Sequence, residues 1–205
     1  MAEIGLRERK RQRTHDAVSA AAIALFLERG FDGVSVADVA AAAEISKPTL
    51  FRYFPSKEDL VLHRFADHAG EAARVVRARP AGLTPLGALH AHFLDGLARR
   101  DPVTGLNDHP QVLAFHNMVF STPSLSARVN DYIGRDEEAL AEALGPPLDA
   151  LTARLAAAQI LAAQRVLARE NWRRLSTGST ADSVCESAKA AADNAFRLLT
   201  SGLPA

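Results

Sequence analysis

The fold is decided by residues 35–54, which read SVADVAAAAEISKPTLFRYF. Ser35 lies three residues before Asp38, and this is the spacing of a capping box that starts a short helix reaching about residue 42. Ser46 caps a second short helix and places Pro48 in its first turn, where proline is tolerated. Two short helices joined by three or four residues are typical of a helix-turn-helix.

The segment before this stretch predicts a longer helix. Apolar residues recur at intervals of three and four, and the helix stops at Gly30, a residue type that is common just after a helix end. Phe31 can then close back on Phe26, as in a Schellman motif. Three helices in this order predict a small N-terminal domain.

The rest of the chain also predicts helices, because alternating strand patterns are missing. A third and longer helix starts at Ser56, proline-punctuated helices follow Pro80, and two final helices cover about 149–173 and 180–201. We therefore predict an all-α fold of about nine helices. Residues 1–55 form the helix-turn-helix domain, and residues 56–205 form a helical bundle for ligand binding and dimerisation.

Composition sets broad limits on this chain of 205 residues, which has 24 basic and 24 acidic side chains. No apolar run approaches the ~18–20 residues that span a bilayer, and no secretory signal is visible. A single cysteine, Cys185, closes no internal disulfide, which fits a cytoplasmic protein. Zero net charge argues weakly against a nucleic-acid partner, yet residues 7–13 hold five cations and one acid.

The helix-turn-helix pattern gives this local charge a function. The second helix of such a motif enters the major groove and contacts base edges with its N-terminal residues. A lysine there donates to guanine, while a basic arm adds affinity that depends on salt and not on sequence. The candidate DNA contacts are Arg9, Lys10, Arg11, Arg13, Ser35, Ser46, Lys47, Pro48, Thr49, Arg52, Tyr53 and Lys57. In contrast, we expect Leu50, Phe51 and Phe54 in the core of the small domain.

Three segments at fixed spacing, ALFLERGF at 24–31, SVADVAAA at 35–42 and SKPTLFRYFPSKEDL at 46–60, resemble the DNA-binding domain of the TetR family. The resemblance covers about residues 9–60. It implies an all-α homodimeric transcriptional regulator, usually a repressor that a small ligand releases from DNA. The segment 123–144 also resembles a subgroup related to mycofactocin-system regulators, some of which respond to acyl-CoA.

Two residues depart from the family pattern. Glu44 occupies the turn where the family commonly has glycine, so it either adopts a left-handed conformation at a cost of about 1 kcal/mol or shifts the second helix. Phe51 replaces a tyrosine, and a hydroxyl that would contact phosphate is therefore missing. These departures keep open an alternative function, a helical small-molecule-binding or scaffolding dimer that engages no specific DNA.

Metal and enzyme functions find little support. The histidine pairs are spaced two or five residues apart, or lack a cysteine or acid at matching spacing, so we predict no metal and no cofactor. No glycine-rich phosphate loop, nucleophile elbow or acid pair is present, and we predict no catalytic residues.

The later helices contain candidates for a ligand pocket and a dimer interface. Aromatic and polar residues on apolar faces suit a pocket between helices, although packed core is the simpler interpretation for each one. The pocket candidates are Phe65, His90, Phe93, Leu97, Phe115, His116, Val119 and Gln164. Small and apolar residues at helical spacing suit a two-fold contact between the last two helices, with packing inside one chain as the alternative. The interface candidates are Leu155, Ala158, Leu161, Ala162, Ala188, Ala191, Ala192 and Ala195.

Overall fold

The computed structural model describes residues 5–66, 68–146 and 148–201, without the side chains of residues 6–8, 10, 65 and 66. Ten α-helices and one 3-10 helix make up its regular structure, and this confirms the all-α prediction. In chain order they are α1 Leu6–Arg29, α2 Val36–Ala42, α3 Lys47–Tyr53, α4 Asp59–Ala66, α5 Glu71–Ala78, α6 Pro85–Ala98, the 3-10 helix Pro102–Thr104, α7 Pro110–Ser121, α8 Pro123–Leu144, α9 Ala150–Ser176 and α10 Ala181–Ser201.

Ten helices replace the predicted nine because the long helix expected after Ser56 is two helices, α4 and α5. The second of them begins after Gly70, whose φ of 67° and ψ of 14° lie in the left-handed region. The Gly70 N–H donates to Asp136 Oδ1 at 2.8 Å. Burial raises the pKa of the Asp136 carboxyl above its ordinary value, although this N–H opposes the shift.

The described chain divides into two compact units. Unit 1 comprises Met1–Asp67 and Ala114–Asn130, and unit 2 comprises His68–Leu113 and Asp131–Ala205. Unit 1 thus extends past the boundary at residue 55 suggested by the sequence. It also includes Ala114–Asn130, from the middle of the chain, and no local sequence pattern predicts that this segment belongs to unit 1.

Unit 1 is built on the first four helices, with α1 packed against both α2 and α4. The reason is that α1 presents Val18, Ala22 and Phe26 on one face, and all three are essentially fully buried. The α1 helix ends where Gly30 donates its N–H to the Phe26 carbonyl, and the Phe26 and Phe31 ring centroids lie 5.0 Å apart. Gly30 has φ 79° and ψ 151°, outside the left-handed helical region, so the ring contact forms without the Schellman geometry.

Unit 2 has one continuous apolar core, in which α10 packs against α6 and α9. A side-chain hydrogen bond and a close backbone approach hold the 3-10 helix against α9. Buried Asn171 donates its side-chain N–H to the Thr104 carbonyl at 2.9 Å. A Cβ on Gly105 would lie 1.9 Å from the Ala168 carbonyl oxygen, so only glycine permits this approach.

Candidate nucleic-acid interface

The helix-turn-helix forms where the sequence predicts it, with both helices capped as expected. Ser35 caps α2 in a capping box with Asp38, and its hydrogen bonds hold the pKa of the Asp38 carboxyl below the ordinary value. Ser46 caps α3 by accepting the Thr49 N–H at 3.3 Å, and the two hydroxyl oxygens lie 2.8 Å apart. These caps begin each short helix at one defined residue and so set its register.

The turn between α2 and α3 is a Schellman motif with Glu44 at its left-handed position. Glu44 has a φ of 53°. Its N–H donates to the Ala41 carbonyl at 3.1 Å, while the Ile45 N–H donates to the Ala40 carbonyl at 3.0 Å, and these two bonds define the motif. Of the two outcomes considered for Glu44, the chain therefore adopts the left-handed conformation and keeps the turn.

The α3 helix has one exposed and one buried face. Leu50 is fully buried, and Phe54 just after the helix is 1% exposed, as predicted. Phe51 is 47% exposed, so its expected place in the core is wrong. At 100° per residue Phe51 falls on the side of α3 that bears Lys47, four positions earlier. This spacing was readable in the sequence, but the apolar character of the ring had suggested burial.

The exposed face of α3 comprises Lys47, Pro48, Phe51 and Arg52. Two cations and one aromatic ring are thus presented together to solvent. Thr49 and Tyr53 lie beside this face and are half-buried.

Behind α3, a cluster of rings fixes the helix against α1 and α4. The His15 ring stacks on Phe54 with centroids 4.4 Å apart, and His63 meets His15 edge-on at 5.1 Å. Ser19, which is 2% exposed, places its Oγ 3.2 Å from His63 Nδ1. The cluster joins α1, α4 and the C-terminal end of α3, so these contacts support α3 from its buried side.

The basic arm lies in the first turns of α1. Arg9, Arg11 and Arg13 are exposed there, whereas the Lys10 side chain lies outside the described residues. Exposed guanidinium groups on a helix end suit phosphate contacts.

Lys57 differs from the other predicted contacts because its charge is engaged within unit 1. Its Nζ donates to the Phe31 carbonyl at 2.5 Å and lies 4.2 Å from the centroid of the Phe31 ring. A cation above an aromatic face is attracted to it. Lys57 thus ties the segment after α3 to the turn that follows α1.

The predicted pocket residues are divided between the two units. In unit 2, Phe93 and Leu97 belong to the apolar core, and His90 stacks on Phe196 at 4.6 Å. Half-buried Gln164 lies on α9. The unit 1 set is buried Val119 with half-buried Phe115 and His116, and the Phe65 side chain lies outside the described residues.

Unit 2 contains a separate groove of about 250 Å³, open to solvent. Six apolar side chains and two polar ones form its wall. The lining residues are Thr84, Pro85, Leu86, Leu144, Ala156, Gln159, Ile160 and Leu199. None of the eight predicted pocket residues is among them. The groove joins residues from four helices, which sequence spacing alone does not bring together.

The predicted interface residues behave differently on the two last helices. Ala188 and Ala192 of α10 are buried in the core of unit 2, while Ala191 is exposed and Ala195 is half-buried. On α9, Leu161 packs against that core.

The opposite side of α9 bears an exposed apolar stripe, which we call the α9 stripe. Leu151, Leu155 and Val166 are 65%, 54% and 66% exposed, and half-buried Ala158 and Ala162 lie between them. The spacing of three and four residues places all five on one face. Val166 is not among the predicted interface residues, although it follows Ala162 by four residues.

Two further features are absent from the described residues. No helix of this part of the chain is long and apolar enough to cross a bilayer. In the same residues, no group of three or more His, Cys, Asp or Glu side chains is arranged to hold a metal ion.

Comparison with known proteins links residues 19–63 to a family model described as bacterial regulatory proteins, tetR family. The HTH-type transcriptional regulator TcmR of Streptomyces glaucescens is 38% identical over 137 residues, which are 65% of this chain and 58% of TcmR. The proposed mycofactocin biosynthesis transcriptional regulator MftR of Mycobacterium tuberculosis is 43% identical over 63 residues, 31% of this chain and 32% of MftR. The matches thus span about a third to three fifths of these relatives, and the mycofactocin resemblance is only weakly supported.

The fold as a whole is similar to solved structures. NalD of Pseudomonas aeruginosa, the secondary repressor of the MexAB-OprM multidrug efflux pump, superposes with a TM-score of 0.58 at 18% identity. That superposition covers 92% of this chain and 96% of NalD. Similarity at this identity concerns the fold of both units.

Proposed function

We propose that the chain, whose residues 19–63 match the model of the TetR family, is a dimeric repressor that a small effector releases from DNA. The observation that carries the proposal is the exposed face of α3. Lys47 and Arg52 lie on this face of a capped helix whose other face is buried. An exposed cationic face of this kind complements the negative charge of the duplex.

Each part of unit 1 has a defined task in this proposal. Lys47, in the first turn of α3, donates to a guanine edge, and Ser46, Pro48 and Thr49 contact neighbouring groups. Arg52 and Tyr53 reach phosphates, as does Ser35 at the start of α2. The arm residues Arg9, Lys10, Arg11 and Arg13 add affinity for any sequence. Lys57 acts through the turn that it holds, since its ammonium group is engaged with Phe31.

The α9 stripe is the surface we propose for dimerisation. Five apolar or small side chains on one exposed face are costly in water, and a two-fold axis would bury them against their own copy. The small residues Ala158 and Ala162 would let the two helices approach closely. A dimer offers two α3 helices, one from each copy, to a pseudopalindromic operator whose half-sites lie about 34–36 Å apart.

The effector we propose is small and largely apolar, acyl-type compounds included. Support comes from the groove in unit 2, whose apolar wall carries the polar groups of Thr84 and Gln159 for orientation. The effector releases the protein from DNA if it binds more tightly to a conformation in which the two α3 helices do not match the spacing of the operator half-sites. Repression is also the role named for NalD, whose fold is similar. The chain's relatives are transcriptional regulators, and we propose the same non-enzymatic function in the cytoplasm.

The experiment is a binding series with the full-length chain. Duplexes selected from a randomised library by the wild-type chain, and random duplexes of equal length, are titrated at several salt concentrations. Lys47→Ala should reduce the preference for the selected duplex at least about fivefold, corresponding to a lost base contact of about 1–3 kcal/mol. Arg9→Ala should weaken both duplexes alike and reduce the dependence of affinity on salt.

The alternative of a dimer that engages no specific DNA gives a different result. Selection would then enrich no sequence, and the wild-type chain would bind every duplex equally at each salt concentration. Dimerisation is measured separately, so loss of DNA specificity leaves the assignment of the α9 stripe intact.

A further inference from the structure

We propose that Phe51 contacts the 5-methyl group of a thymine in the major groove and so determines the sequence of the operator half-site. The inference rests on the proposed function and assigns a specific ligand group to one residue of the α3 face. It concerns direct sequence recognition rather than overall affinity.

The first argument is that protein packing does not account for the phenylalanine. Phe51 is 47% exposed, while Leu50 is fully buried and Phe54 is 1% exposed. The latter two residues supply the contacts between α3 and the core of unit 1. With about half of its surface left in water, the Phe51 side chain gains only part of the free energy that full burial provides. The ring is therefore available for a partner outside the chain.

The second argument concerns the chemistry of the ring. Phenylalanine has no hydrogen-bond donor, so it cannot bind a phosphate oxygen as a tyrosine would at the same position. On the edges of base pairs in the major groove, the apolar group is the thymine methyl, and phenylalanine is among the side chains that contact it. The absent hydroxyl thus changes the kind of contact that this position offers.

The third argument is the placement of the ring among charges. Lys47 lies four residues earlier on the same face, and exposed Arg52 lies next to Phe51. Both cations favour a polyanionic duplex over an apolar protein surface, which would have to desolvate them. DNA therefore fits the mixed face better than a second protein does.

The helix geometry predicts where the thymine lies. Four residues advance about 6 Å along a helix axis, and base pairs repeat about every 3.4 Å. If Lys47 donates to one base pair, Phe51 faces a base pair about two steps away. The half-site should therefore contain an invariant thymine about two positions from the guanine read by Lys47.

The test replaces each thymine of the selected duplex, one at a time, with deoxyuridine, which lacks only the methyl group. With wild-type protein, one substitution per half-site should weaken binding about fourfold, the equivalent of one buried methyl group. Phe51→Ala should bind the thymine and uracil duplexes equally, whereas Phe51→Tyr should keep the preference. Arg52→Ala is the matched control on the same face and should weaken both duplexes by the same factor.

Phe51→Ala removes an exposed ring, so its melting temperature should match that of wild type, and this is checked first. The proposal is overturned if wild type binds all uracil duplexes equally, if Phe51→Ala retains the discrimination, or if the selected half-site has no invariant thymine. In these three outcomes specific binding persists and the proposed function stands. If selection enriches no sequence, the proposed function fails and the role of Phe51 fails with it.

Discussion

Glu44 offers the sharpest test of the turn that orients α3. Its φ of 53° and the bonds from Glu44 and Ile45 back to Ala41 and Ala40 place it at the glycine position of a Schellman motif. The side chain itself is exposed. Glu44→Gly therefore changes the backbone preference at this position while leaving the core untouched.

The expected magnitude follows from two opposing costs. A non-glycine residue in the left-handed conformation lowers the free energy of unfolding by about 1–2 kcal/mol, and glycine removes that cost. Glycine in turn loses about 0.5–1 kcal/mol more conformational entropy on folding. The balance predicts that Glu44→Gly raises the free energy of unfolding by about 0.5–1 kcal/mol. For a chain of this size the melting temperature should rise by about 1–4 °C.

Thermal unfolding followed by circular dichroism, together with urea denaturation, measures both quantities. Glu44→Ala is the matched control, because it removes the carboxylate but keeps the Cβ that opposes a positive φ. We expect Glu44→Ala to match wild type and Glu44→Asn to fall between alanine and glycine, since asparagine tolerates this conformation. Affinity of Glu44→Gly for the selected duplex should stay within twofold of wild type, as the turn already has this geometry.

Two patterns of stabilities would contradict this explanation. If Glu44→Gly is less stable than Glu44→Ala, the residue does not occupy a left-handed position and the turn is of another type. If glycine and alanine are equally stabilising, the carboxylate and not the backbone is the source of the strain.

Three further changes test other parts of the molecule. Leu155→Glu charges the α9 stripe, and sedimentation at micromolar concentration should show monomers; an intact dimer would exclude this surface. Asn171→Ala leaves the buried Thr104 carbonyl without its donor, so urea denaturation should show a loss of about 1–3 kcal/mol, and no loss would mean that another group replaces the amide. Burial raises the pKa of Asp136, so its charge destabilises the fold as pH rises through that raised value. Asp136→Asn keeps the acceptor for Gly70 and should melt above wild type at about pH 7 but equally at about pH 3; a gap independent of pH would contradict this.

Much of the helix-turn-helix was predictable from the sequence because its signals are local. The caps at Ser35 and Ser46 lie within three residues of their partners, and the turn at Glu44 involves bonds between residues three and five positions apart. Interactions of this range depend on residue type and spacing alone. The same is true of the proline residues that begin α6, α7 and α8.

The features that the sequence did not reveal involve longer distances. The break between α4 and α5 depends on Gly70, whose N–H binds Asp136, 66 residues away. Lys57 is of a residue type that often contacts DNA, yet its ammonium group donates to the Phe31 carbonyl, 26 residues earlier. Ala188 has the small side chain of an interface residue, but the core of unit 2 buries it.

Local sequence patterns predict that the chain is helical, where its short helices begin and end, and which family its first sixty residues resemble. Each depends on caps, turns and periodicity within a few residues. Only the tertiary structure decided which side chains remain available for function. Phe51 is exposed while Leu50 beside it is buried, and the α9 stripe is exposed while the alanines of α10 are not. The physical reason is that exposure depends on which helices pack together, and that packing joins residues far apart in the chain.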